Sequence, residues 1–502
     1  MKPKHISDAI GKLDENMIAE AQSARVKKRK PRWIAWVAAA ACVAVMVALA
    51  RPMLQKDAPA NEQATEQTQV LGRPSQTVLH DADFSIFKAA YPLMEKYPDF
   101  MDYQDDMDAY YDAYNRWHET KAAIRDSVDA VADENYFDDF YQTSALEFLS
   151  QAGDENLIYS PSNVYMALAM LAELTDGESR QQILDLLRVG SVEELRTEAR
   201  YLWSTNYCDD GLLTTVMANS LWLDDDLPYN QETMNLIGEK YYASSFSGQM
   251  GTAEYNAALH SWLNEQTGDL LSEQVEGLEF DPSTVLALAS TIYFNGQWSE
   301  SFSSYYTEED TFHGTSGDST VDFMNSSDIG TVYWGENYRA IEKHMEGNAS
   351  MWLILPDEDK TIADVLKDGE MFDMTSAGAR WDNCKSVTVN LSMPKFDVTS
   401  KIDLIDGLQA LGVHDVFDPV ISDFTPMSSD LESVYVSEAE HAARVMVDEK
   451  GCTAAAYTVM MTECGAAICE DEIDFVLDRP FIFVITGCGD QPLFIGVVNQ
   501  VS

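Results

Sequence analysis

Lysine and arginine are scarce in this 502-residue chain, 33 against 84 aspartates and glutamates, which leaves a formal net charge of −51. Nucleic-acid surfaces need clustered cations to replace the counterions of phosphates, so that class of partner is excluded. Catalytic signatures are missing as well. There is no GxSxG elbow, HExxH, Walker loop or GxGxxG, and the eight histidines show no ligand-like i,i+4 pair. Carboxylates are so abundant that chance neighbours carry no information about an acid/base pair. No enzyme activity is expected, and no metal, cofactor or small-molecule substrate. The seven cysteines (Cys42, Cys208, Cys384, Cys452, Cys464, Cys469 and Cys488) contain no CxxC pair, and an odd number cannot all pair within one chain. No disulfide framework is readable, and the spacing suits a fold large enough to do without one.

Charge is unevenly placed. Residues 1–51 hold ten of the basic side chains and only four acidic ones. Between this basic head and the acidic body, Trp33 to Ala50 runs for 18 residues without a charge. As a helix it would be about 27 Å long, close to a bilayer core. With Lys27-Lys28-Arg29-Lys30-Pro31-Arg32 before it, the positive-inside rule predicts a cytoplasmic head (1–32), a transmembrane signal-anchor (33–50) and an extracellular body on a single-pass membrane protein. A cleaved signal peptide, or lipidation at Cys42 after Ala39-Ala40-Ala41, are the alternatives.

Residues 7–24 carry Ile10, Leu13, Met17 and Ile18 at helical spacing after a capping Ser7, and 51–80 read as a flexible linker. The segment 81–124 is acidic and rich in aromatics (Tyr91, Tyr97, Tyr110, Tyr114, Trp117), too many for a disordered tail; it is expected to pack on the main domain, 125–502. There, helical patterns (Val164–Leu174, Ser179–Leu187) mix with strand-like runs (Val285–Phe294, Met351–Leu355, Val387–Leu391, Val434–Val436, Phe481–Ile485) without βαβ alternation, which predicts an α+β class.

The most informative stretch is Glu449 to Glu472. Small residues follow a glycine, then comes a β-prone apolar tract and an acidic exit. Alternate residues Cys452, Ala454, Ala456, Thr458, Met460 and Thr462 form one uncharged face, able to enter a core as a strand. An ordinary edge strand or helix is the plainer reading of the segment taken alone.

Glu449-Lys450-Gly451 followed by Ala454-Ala455-Ala456 resembles the proximal hinge of the inhibitory serpins. Further matches come in serpin order: Asn156 to Ser162, Trp262 to Thr267, Ile292 to Trp298, Leu353 to Asp357, Pro394-Lys395-Phe396, Arg479-Pro480-Phe481 and Phe494 to Asn499. The resemblance implies a serpin fold, with three β-sheets, eight or nine helices and an exposed reactive-centre loop. It also implies a monomeric suicide substrate for a serine protease. The protease would cleave the loop and form an acyl-enzyme, then be trapped as the loop inserts into the central sheet. Gly451 would be the hinge, with Glu449, Cys452, Ala454, Ala455 and Ala456 around it. Ser160, Ser290, Trp298 and His441 would guard the region where the sheet opens. Family counting puts the scissile bond at Gly465-Ala466, which suits an elastase- or subtilisin-like target. Cys452 stands where the family has Thr or Ser, Asn163 and Ser290 alter its polar cluster, and Gln500 replaces a terminal proline. A non-inhibitory serpin-fold binding or structural protein is therefore the alternative.

Overall fold

The computed structural model describes residues 42–50, 84–104, 106–125, 136–377, 380–452 and 471–502. The central sheet is built from β1 (Cys42–Ala50), β2 (Ser85–Phe87), β3 (Leu213–Asp224), β4 (Ala243–Gly248), β5 (Thr284–Gln297), β6 (Phe396–Asp403), β7 (Tyr435–Val447) and the two-residue β8 (Gly451–Cys452). Its order is β6-β7-β1-β5-β3-β4-β2, with β8 also on β5. A second ladder runs from Glu472–Val476 through Cys384–Pro394 to the long strand Gly317–Trp334. From there it continues through Tyr338–His344, Ser350–Pro356, Phe481–Thr486 and Pro492–Val498 to Leu157–Tyr159. Gly317–Trp334 pairs along most of its length with Cys384–Pro394 and only by its last residues with Tyr338–His344. It thus divides this ladder into two sheets, three in all. The chain is α+β, as its mixed pattern predicts; eleven α-helices occur among the described residues, more than the eight or nine implied.

The middle of the central sheet is covered on both faces, which is why β3 and β5 read as largely apolar runs, whereas β6 and β7 alternate. One face meets α2 (Pro161–Leu174); the extension before the main domain carries α1 (Met107–Arg125). Ser160 caps α2 by accepting from Asn163 N–H, proline fills its first position, and every residue of it is buried. On the other face Trp222 stacks on Phe246 and meets Trp262 of the helix Ala253–Thr267, closing a smaller core.

Two findings concern the segments before the main domain. Phe84 to Arg125 lies against it: Ser85–Phe87 pairs with β4, the Tyr91 ring meets Trp203, Tyr207 and Tyr242, and α1 directs Trp117 and Lys121 at buried Asp210. The second is a correction. No helix among the described residues is long and apolar enough to cross a membrane, and the last nine residues of the expected span, Cys42–Ala50, form a strand. The single-pass membrane reading, with its membrane partner, is overturned. The physical reason is that an uncharged run of nine residues with Val43, Val45, Val47 and Leu49 at alternate places satisfies its backbone as well between two strands as in a helix. Residues 33–41, the basic head and the linker lie outside the described residues.

Candidate functional site: the upper sheet and its hinge

The polypeptide leaves the top of β7 at Val447 and turns through Asp448, whose carboxylate accepts from the N–H groups of Lys450 and Gly451. Gly451 and Cys452 then pair antiparallel with Gln297 and Gly296 at the end of β5. The glycine is required there. Its φ is +155°, and a Cβ would lie 2.2 Å from the carbonyl oxygen of Gly296. Cys452 is fully buried, and burial pushes its thiol up, so it is a small inert filler in this position rather than a reactive thiolate.

Three contacts fasten the hinge. Lys395, from the Pro394-Lys395-Phe396 corner, reaches the Glu449 carboxylate at 2.8 Å and Asp322 at 3.1 Å, and Thr307 donates to Glu449 at 2.9 Å. Burial would raise the Glu449 carboxyl, but Lys395 and Thr307 hold it below its usual range. Trp298 supplies the third contact: its indole N–H donates to Asp448 O at 3.0 Å and its backbone N–H to Lys450 O at 2.9 Å. The Lys343 ammonium sits 5.3 Å from the Trp298 ring centre and 4.3 Å from that of Phe302.

Lower in the sheet lies a fully buried polar cluster. Ser160 N–H donates to His441 Nε2 at 3.1 Å, joining the start of α2 to β7. The Ser290 hydroxyl of β5 bridges the amide oxygens of Asn163 and Asn219, the latter at 2.7 Å. Asn163 in return donates to Ser290 O at 3.0 Å, and Asn219 to Tyr241 O at 2.7 Å. His441 has lost nearly all contact with water, which pushes its imidazole down to about 3 and keeps it neutral.

Of the residues singled out in the sequence, Glu449, Gly451, Cys452 and Trp298 meet at the upper edge. Ser160, Ser290 and His441 meet about α2. Ala454, Ala455, Ala456, Gly465 and Ala466 lie outside the described residues. Sequence reasoning overlooked Asn219, a polar residue in an apolar strand with no local mark of its partner. It also overlooked Lys395 as the hinge's counterion, although the Pro-Lys-Phe motif was in view.

Residues 138–501 match the family model Serpin (serine protease inhibitor). Serpin-ZX of Arabidopsis thaliana is 28% identical over 364 residues, covering 69% of this chain and 92% of that protein. Human neuroserpin is 27% identical over 356 residues, 66% and 82% of the two chains. Among solved structures, the thermophilic serpin tengpin in its native state superposes with a TM-score of 0.64 at 26% identity, over 75% of this chain and 98% of that one. With most of its length matched in sequence and in fold, the chain belongs to the serpin family, described as serine protease inhibitors.

Proposed function

We propose that this serpin is an inhibitory one, acting as a suicide substrate of an elastase- or subtilisin-like serine protease. The observation that carries the reading is the pairing of Gly451 and Cys452 with Gln297 and Gly296. It starts a strand antiparallel to β5 in the lane between β5 and β7. The protease serine would attack the Gly465 carbonyl; the Gly465-Ala466 bond breaks, Ala466 leaves as a protonated amine and Gly465 stays as the acyl ester. The freed loop then enters the sheet by its small residues Ala454, Ala455 and Ala456, dragging the acyl-enzyme with it. Cys464, Gly465, Ala466 and Ala467 suit a small primary pocket, and the absence of Lys and Arg near the bond disfavours a trypsin-like one.

A second reading, a serpin that binds without inserting its loop, is favoured by one observation: the lane is filled by β1. The two are separated by incubating the protein with elastase-like, subtilisin-like and trypsin-like proteases. An SDS-resistant adduct that releases a peptide beginning at Ala466 is the expected result. Clean loop cleavage by all three, with no adduct and no gain in thermal stability, favours the non-inserting serpin instead.

A further inference from the structure

The strand between β5 and β7 comes from the far end of the chain. Cys42–Ala50 pairs antiparallel with β5 from Tyr293 to Thr284 on one side, and antiparallel with β7 from Arg444 to Tyr435 on the other. Val45 lies opposite Ser290 and opposite His441, at the level of the buried polar cluster. β8 runs in the same direction in the same lane, its Cys452 opposite Gly296, so only Asn295 and Phe294 separate the level of Cys452 from that of Cys42.

Carrying the register of β8 downward puts Ala455 opposite Tyr293, Thr458 opposite Ser290 and Thr462 opposite Leu286. Those are the places now taken by Cys42, Val45 and Leu49. Each strand of a ladder has two edges, and both inner edges here are already paired, so a second strand cannot enter without expelling the first. The occupant is well suited to the lane. Val43, Val45, Val47 and Leu49 hold the register positions that Ala456, Thr458, Met460 and Thr462 would take. Cys42–Ala50 carries no charge, whereas Glu463 follows directly in the loop. Alternating β-branched residues favour a doubly paired central strand.

We propose that the lane between β5 and β7 is a strand-binding site with two mutually exclusive occupants, the N-terminal segment Cys42–Ala50 and the reactive loop, and that the first holds the protein in a non-trapping state until it withdraws. The proposal rests on the inhibitory reading for its consequence, but not for the occupancy itself. In the filled state a protease that cleaves the loop finds no lane for it. Insertion then waits on departure of β1, and the acyl-enzyme hydrolyses first.

The test uses the full chain and a Val45→Pro/Ala48→Pro variant. Proline donates no ladder hydrogen bond, and these two positions, three apart, address opposite neighbours. Hydrogen exchange on the unaltered chain is expected to show protected amides over 42–50; exchange there at the rate of an unfolded peptide overturns the proposal without any variant. Native mass spectrometry with a synthetic peptide of the Ala455–Thr462 sequence is expected to show one bound peptide on the variant and none on the unaltered protein. With an elastase-like protease, the variant is expected to form adduct about tenfold faster or more, the gain when the open state is a tenth or less of the population. Equal peptide uptake and equal adduct rates in the two proteins overturn the competition. A variant that takes up peptide yet forms no adduct supports the two-occupant lane and overturns the inhibitory reading instead.

Discussion

The backbone N–H of Ser160 donates to Nε2 of His441 across 3.1 Å, so the residue that caps α2 is also tied to the strand at the edge of the sheet's central lane. The other ring nitrogen of His441, Nδ1, has no hydrogen-bond partner among the described residues, and the Tyr159 ring stands edge-on, 5.6 Å away between ring centres. A neutral imidazole that accepts through Nε2 must carry its proton on Nδ1. The helix and strand are therefore joined only while His441 remains unprotonated.

Stability should depend on pH through this residue. Its folded-state pKa, about 3, lies below the ordinary 6.5, so the unfolded chain binds the proton more readily. The contribution is complete above about pH 6.5 and is lost as pH falls toward 3, at up to about 1.4 kcal/mol per pH unit. Urea denaturation at pH 7.5 and 5 should show the unaltered protein losing more stability on acidification than His441→Gln does; equal losses would remove His441 as the source.

Ser290→Ala should destabilise the protein by about 1–3 kcal/mol, because the single hydroxyl proton lies within reach of two buried amide oxygens, Asn163 Oδ1 and Asn219 Oδ1, and its removal leaves both without that donor. The check is the urea midpoint at constant slope. A change within a few tenths of a kcal/mol would mean that the cluster relaxes around the loss.

At the hinge, Gly451→Ala should break the pairing with Gln297 and Gly296, since the new methyl collides with a backbone carbonyl that cannot move aside. The cost is about 1–3 kcal/mol. The more telling measurement is the fate of the loop: the share of protease encounters that end in adduct should fall while the share that end in simple cleavage rises.

Lys121→Met should cost about 3 kcal/mol, well above the loss of a surface ion pair. Asp210 is fully buried; burial would push its carboxyl up, but Lys121 and the N–H groups of Leu213 and Leu212 hold it below the usual range. Lys121 on α1 donates to it at 3.2 Å. Adding Asp210→Asn to the variant should restore most of the stability, a coupling that thermal denaturation of the single and double variants measures.

How much of this could be read before the fold was known differs from place to place. Apolar runs mark Thr284–Gln297 and Pro161–Leu174 because the helix is buried throughout and the strand over its first nine residues, and burial writes itself into composition. The hinge is legible at Gly451 because the backbone there tolerates no side chain, so the residue type itself records the geometry. Asn219 is illegible, since its partners Ser290 and Tyr241 are 71 and 22 residues away and nothing local marks either.

Cys42–Ala50 draws the line between the two kinds of knowledge. From the sequence alone come the acidic character of the chain, its α+β class and its family, since each depends on composition or on motifs in order along the chain. That Cys42–Ala50 is uncharged and apolar is equally plain there, and it says only that these residues avoid water. Whether they do so as a helix or as a strand depends on which backbone groups complete their hydrogen bonds. Only the tertiary structure decided that, by leaving an open lane between β5 and β7 whose two free edges, 234 residues or more away in the chain, Cys42–Ala50 pairs with on both sides.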